Sequence, residues 1–333
     1  MKKKIFITGG AGYVGCRLVP FLLKKGYEVT VYDIMYFTDK FLDHKNPNLK
    51  IISGDIRDLT KLDRSSKNHD IFLHLACISN DASYVLDENL SKTINFDCFE
   101  NIVLTAKKND IKRFIYASSS SVYGVSDQKD VKEDHPLLPL TLYNKFKGLC
   151  EPLLLKEASD NFEVSIFRPA TVCGHSPRMR FDLSVNILTC HAICNNKISV
   201  FGGDQLRPNL HILDYCEAVV ALIESEKEKI HKEIFNIGYE NLSIRDIANK
   251  IKFILESKHD YKDIEIQTVS SDDNRSYHIN SDKFFQKLGF KPKLTIEDAV
   301  TEIVNMYDQN LYSEPLKNKV YYNVKTLLDL KAN

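Results

Sequence analysis

The chain has 333 residues, 43% of them hydrophobic and 27% charged, a globular composition that excludes a largely disordered protein. Lys plus Arg and Asp plus Glu each number 45, so the formal charge is zero. That balance predicts no nucleic-acid partner and no membrane-surface partner. At this length one large domain or two closely packed ones are expected.

In chain order, apolar β-rich runs alternate with helical patterns. KIFITGG (4–10) predicts a strand, VGCRLVPFLLKKG (14–26) a helix, EVTVYD (28–33) a strand and LKIISGD (49–55) another. A short helix is expected over 59–69, a fourth strand over 70–76, a long helix over 89–110 and a fifth strand over 112–118. A helix from 143 to 159 and a sixth strand over 162–170 follow. The alternation predicts a Rossmann-type α/β fold, a doubly wound parallel sheet with helices on both faces. After the sixth strand the pattern is less regular. A basic loop (176–186), a helix (187–196), short strands with a glycine turn (198–214), a helix (215–226) and a strand (233–238) are expected. Helical patterns at 244–257 and 295–307 come next, and the tail from 310 has no assignment. The expected division is 1–170 as the dinucleotide domain, with 205–238 returning to it. A smaller, mostly α substrate-binding region takes 171–204 and 239–320, and 321–333 is a tail.

The start MKKKIFITGG has three lysines, but its apolar run covers only residues 5–7, too short for a signal peptide. No apolar run approaches the length of a membrane span, and a cytoplasmic protein is expected. None of the 8 cysteines forms a C-x-x-C pair, which predicts reduced, packed thiols. Cys190 and Cys194 share a helical face in CHAIC, but no second ligand pair is near, and no metal site is expected.

TGGAGYVG places Gly9, Gly12 and Gly15 between the first strand and first helix, with Tyr13 and Val14 opening the helix. Glycines there allow a tight turn and close approach of backbone N–H groups to a pyrophosphate. Asp33 ends the second strand 18 residues after Gly15, near the roughly 20 expected for a carboxylate on the adenosine ribose. A carboxylate repels a 2′-phosphate, so NAD is expected over NADP. Asp55 and Ile56 in GDIRD end the third strand and suit an adenine edge and face; a plain strand-end turn reads as well.

YNKFK sets Tyr143 and Lys147 four apart on one helical face. A cation beside a phenol favours the phenolate, which makes Tyr143 a candidate general base. ASSSSVYG (117–124) stacks four serines where the fifth strand ends, the end at which open α/β sheets bind ligands.

The glycine motif, the serine run and Tyr-x-x-x-Lys, in this order, resemble the extended short-chain dehydrogenase/reductase family in its nucleotide-sugar epimerase/dehydratase branch. HLAC, SSVYG, FRPATVCG, RPNLHILD, RMRFDLSVN and DDNRSYHINSDKFFQKLGF add to the likeness, from Lys4 to about Val300. The resemblance implies that Tyr143 takes a proton from a sugar hydroxyl, that Lys147 binds the nicotinamide ribose, and that Ser119 hydrogen-bonds the reacting oxygen. It implies cofactor contacts at Leu75 and Ala76, and a nucleotide-diphosphate sugar held by Arg207, Arg275 and Asn186. Arg178 and Arg180 suit the same diphosphate, with a solvated loop as the alternative, and Asn80 or Asp81 reach the sugar. Ser120 and Ser121 stand where 4,6-dehydratases of this branch carry an Asp and a Glu, which argues against dehydration; as small residues they leave room for sugar. The expected activity is oxidation at C4, as a 4-epimerase or a 4-dehydrogenase, in bacterial surface-polysaccharide sugar synthesis. A 3- or 5-epimerase would use Cys173 or His175 as an added acid/base. A non-catalytic NAD-binding sensor is disfavoured because both Tyr143 and Lys147 are present. The resemblance also implies a homodimer through helices near 90–108 and 143–157.

Overall fold

The computed structural model describes residues 2–128, 130–270 and 276–332. The first half lays down β1 (Lys4–Thr8), α1 (Tyr13–Lys24), β2 (Glu28–Asp33), β3 (Leu49–Ser53), α2 (Leu59–Ser66) and β4 (Ile71–His74). Two short helices follow, α3 (Asp81–Tyr84) and α4 (Glu88–Lys92), then α5 (Phe99–Lys108), β5 (Arg113–Ala117), α6 (Leu142–Glu157) and β6 (Glu163–Pro169). The second half holds β7 (Thr171–Cys173), α7 (Ser184–Asn195), β8 (Lys197–Phe201), β9 (Leu206–His211), α8 (Ile212–Glu224), α9 (Lys227–Ile230) and β10 (Glu233–Ile237). It ends with β11 (Glu240–Ser243), α10 (Ile244–Lys258), β12 (Glu265–Val269), α11 (Asp282–Leu288), α12 (Ile296–Asp308) and α13 (Asn323–Ala332).

Seven strands form one sheet in the order β10-β6-β5-β4-β1-β2-β3, and every pairing in it is parallel. β1 is apolar over Ile5–Ile7 and β5 over Phe114–Ala117, as strands covered on both faces must be. The strand order reverses between β1 and β4, and this switch point opens a crevice at the carboxyl ends. β10 closes the sheet's outer edge, whereas β9 pairs with β7 and β11 in a separate three-stranded sheet. β8 and β12 form a parallel pair. α7, α10 and α12 pack with these strands into a second apolar core that includes Met179, Phe181, Tyr312, Tyr321 and Tyr322.

Two expectations change. The long helix over 89–110 is broken into α4, a wide π-type turn at Thr93–Asp97, and α5. Asn95 lies in that turn, and its amide exchanges two hydrogen bonds with the backbone of Ile78, 2.8 and 3.0 Å long. A buried amide must find such partners, and a wide turn in a helix often marks a functional region. The unassigned tail folds as a 3-10 turn, Lys319–Tyr321, and the helix α13.

Candidate active site

A cavity of about 630 Å³ opens at the carboxyl ends of the central strands. Its wall takes in the glycine loop, the ends of β2 and β3, the serine run, Tyr143 and Lys147. Gly9 has φ +78°, and a Cβ there would stand 2.6 Å from Ala76 N. A Cβ on Gly15 would stand 2.3 Å from Gly10 O, so only glycine lets the loop close onto α1. A Cβ on Gly12 would meet only Gly9 O, at 3.4 Å, and the surrounding space is open. Tyr13 and Val14 therefore present backbone N–H groups at the helix start, a ready anion site. The Tyr13 ring is used elsewhere: its hydroxyl donates to Gly174 O at 2.7 Å and pins α1 to the second region.

The Asp33 carboxylate accepts from Ala11 N at 3.0 Å and from Met35 N at 2.8 Å, which fixes it at the cavity wall. Burial pushes its pKa up, and the two backbone donors and Arg178 counter part of that. Asp55, Ile56, Leu75 and Ala76 also line the cavity, and Arg57 Nε holds the Asp55 carboxylate at 3.0 Å.

The four serines divide by function of position. Ser118 Oγ donates to Glu151 Oε1 at 2.6 Å, behind the cavity's inner wall. Ser121 Oγ donates to Asn144 Oδ1 at 2.6 Å, so in the 2.7 Å contact between Ser119 and Ser121 the proton comes from Ser119. Ser120 lies 3.5 Å from Tyr277. Lys147 is buried on α6, donates to Ala117 O at 2.7 Å and lies 5.0 Å from the Tyr116 ring centre. The N-cap Thr141 starts α6 and so sets Tyr143 and Lys147 on one face; its hydroxyl also donates to Asp81. Burial pushes the Tyr143 phenol well above its ordinary value, and Cys77 and Asp81 add to that; the cation that most favours ionisation is Arg180. The sequence spacing paired the phenol with Lys147; in the fold the cation that acts on it is Arg180, from another loop.

Arg178 and Arg180 are not in a solvated loop. Both are buried and both line the cavity. Arg180 Nε donates to Asp182 Oδ1 at 2.9 Å and Nη1 to Ser79 Oγ at 3.1 Å. Burial alone would raise Asp182, but the charge and hydrogen bond of Arg180 hold it below the usual carboxylate range. Burial, then repulsion by Arg180, pushes Arg178 down to about 9. Arg207 and Asn80 also line the cavity; Asn80 has φ +75° and caps α3 through Ser83 N. Arg275 lies outside the described residues.

One expectation is corrected, for Asn186, and two alternative acid/base candidates are removed. Asn186 does not line the cavity: its amide is spent on Gly174 N, Tyr13 Oη and Arg180 O, at 3.0 to 3.1 Å. It shapes the arginine loop from behind. Cys173 is buried with its thiol on Leu210 O, and His175 points to Tyr312 Oη at 2.7 Å. Neither reaches the cavity as an added acid/base. Among the described residues no group of His, Cys, Asp and Glu could hold a metal ion. Among the wall residues that the sequence pattern did not single out are Phe37, Asn323 and Leu327. They come from loops and the tail, where no strand–helix punctuation marks them.

The model of the NAD dependent epimerase/dehydratase family matches residues 5–238, which include the glycine loop, the serine run, Tyr143 and Lys147. The chain belongs to this family. It is an NAD-dependent enzyme family, and the fit is physical: an open Gly12 cradle, a fixed Asp33 and a buried Arg178 whose Nε has no hydrogen-bond partner among the described residues. The chain is 29% identical to a UDP-N-acetyl-alpha-D-glucosaminuronate decarboxylase from Bacillus cytotoxicus, covering 92% of this chain and 98% of that one. It is 26% identical to a putative UDP-glucose 4-epimerase from Methanocaldococcus jannaschii, covering 92% and 99%. The fold matches the dTDP-glucose 4,6-dehydratase from Streptomyces venezuelae, solved with NAD bound, with a TM-score of 0.84 at 21% identity, over 94% of this chain and 100% of that one.

Proposed function

We propose that this enzyme is a nucleotide-sugar 4-epimerase. The observation that carries the reading is the convergence of Tyr143, Lys147 and Ser119 on the cavity that the glycine loop also lines. Tyr143 takes the proton of the C4 hydroxyl, and Ser119 turns its proton from Ser121 to the same oxygen. Lys147 donates one hydrogen bond to Ala117 O and has further N–H donors for the cofactor's ribose. When bound, NAD would supply the acceptor and later the donor for the C4 hydrogen, together with a positive charge that favours an ionised phenol. Asp33 takes the adenosine ribose, and Arg207 with Arg275 takes the substrate diphosphate. Ser120 and Ser121 lack the proton affinity of the carboxylates that eliminate water, so no dehydration follows.

A second reading is a decarboxylase for a nucleotide uronate. It is favoured by Arg180, a buried cation beside Tyr143 that already holds the Asp182 carboxylate and whose Nη2 has no hydrogen-bond partner among the described residues, a group that suits a sugar carboxylate. Oxidation at C4 makes such a carboxylate a β-keto acid, which loses carbon dioxide. The test is a panel of UDP-, GDP-, dTDP- and CDP-sugars, uronates included, with NAD added and product masses read. An isomer of unchanged mass is the expected result. Loss of carbon dioxide selects the second reading, a product two hydrogens lighter selects a 4-dehydrogenase, and loss of water overturns the reading of the serines.

The same reading places the enzyme in the cytoplasm, in surface-polysaccharide sugar synthesis. It also proposes a homodimer through the exposed Leu104 of α5 and Leu149 of α6; light scattering giving a monomer mass would remove that part. No helix among the described residues is long and apolar enough to cross a membrane.

One titration follows from Tyr143. Its raised value means that cofactor-free protein shows no tyrosinate from this residue below pH ~10. With NAD bound, a tyrosinate absorbance absent from Tyr143→Phe should emerge at lower pH. Identical titrations with and without NAD would remove the phenolate from the mechanism.

A further inference from the structure

The tail beyond the family match builds part of the cavity wall. Asn323, at the start of α13, is only 3% exposed. Its Oδ1 accepts from Arg178 Nη2 at 2.6 Å, its Nδ2 donates to Ser79 Oγ at 3.0 Å, and its backbone N donates to Asp182 Oδ2 at 3.0 Å. One side chain thus joins the loop after β4 to the loop after β7. Leu327, one turn along α13, lies in the same wall and packs in the core cluster of Ile56, Ile78 and Ile94. The segment is anchored on its other side: Phe181 N donates to Tyr321 O at 2.9 Å, and Tyr321 and Tyr322 sit in the second core.

What Asn323 holds is a cation at the cofactor end. The Arg178 guanidinium lies 3.9 Å from the Phe37 ring centre, in the loop that follows Asp33. The Asp33 carboxylate acts on it electrostatically, and Arg178 lines the same wall as Gly12 and Gly15. This places Arg178 in the cavity wall beside the glycine loop and the end of β2, the elements that would hold a diphosphate and its adenosine ribose. The buried charge is only partly compensated, since Arg180 repels it and its Nε has no partner among the described residues. A diphosphate supplies the missing negative charge.

We infer that the segment 318–332 is a strap that retains the dinucleotide, and that Asn323 is the positioning residue that aims Arg178 at the cofactor phosphates. The inference rests on NAD occupying this cavity and holds for any sugar. It deepens the epimerase reading, because a cofactor regenerated within each turnover has no need to leave, whereas a 4-dehydrogenase must release its reduced form.

The experiment is to load the full chain with NAD, then follow exchange of the bound cofactor against excess labelled NAD. Asn323→Ala should exchange about 10- to 100-fold faster, the loss of one charge-assisted hydrogen bond. Arg178→Gln should do the same with the strap sequence intact, which keeps the test alive if the first variant misfolds. A purely structural role for Asn323 would lower the unfolding midpoint and leave exchange unchanged. Tight NAD binding with wild-type exchange in the folded variants overturns the strap alone. A wild-type chain that binds no NAD overturns the cofactor site together with the strap.

Discussion

Tyr143→Phe should lower the turnover of whichever sugar nucleotide the enzyme converts by about 10²–10⁴-fold, the range for loss of a positioned general base. The ring remains, so the packing beside α6 and the shape of the cavity persist. NAD exchange and the KM for the sugar nucleotide should therefore move little, and the loss should fall on kcat. Arg180→Gln removes the cation that most favours the phenolate, and its residual activity should shift to higher pH. The sign follows from the charge: without a neighbouring cation the phenolate forms only at higher pH. Steady-state kinetics over pH check both. A Tyr143→Phe variant within tenfold of wild type would move the base to another wall residue, and Asp81 would be the next to replace.

The central sheet was legible because parallel strands buried on both faces must be apolar, and the helices between them carry a periodic stripe. β1, β2, β4, β5 and β6 each fall inside a run that the pattern marks. The glycine loop was legible for a steric reason, since Cβ atoms at Gly9 and Gly15 would collide with backbone. Tyr143 and Lys147 share a face because helical spacing fixes it. Local pattern fails where the partner is distant in sequence. Asn186 and Arg178 sit close together in one basic segment, yet one is spent behind the wall and the other faces the cofactor end, and nothing within that segment separates them. Asn323 meets Ser79 across 244 residues, and nothing in the sequence around it points to that distant partner. The break between α4 and α5 is of the same kind, because it accompanies a buried amide pairing with Ile78 rather than a proline or glycine.

Glu151→Ala should cost about 3–5 kcal/mol of stability, read as a lower urea midpoint with an unchanged slope. Glu151 on α6 and Arg168 on β6 are both buried, and the carboxylate takes Arg168 Nη2 at 2.6 Å and Nε at 3.0 Å. Removing the acid leaves a buried guanidinium whose hydrogen-bond partners among the described residues are Tyr123 Oη and Glu133 O, at 2.7 and 3.0 Å. The cost reflects that unpaired charge rather than the worth of the ion pair. A Glu151→Leu, Arg168→Met double variant should therefore recover part of the loss, and the two single effects should not add. Recovery should stay incomplete because Ser118 and Tyr123 each lose a partner. Ser118 opens the serine run and Tyr123 follows it, so the double variant should fold yet turn over more slowly than wild type. A double variant that regains stability and full activity would show that the run is held from the cavity side, by Asn144 on Ser121, and not from the core.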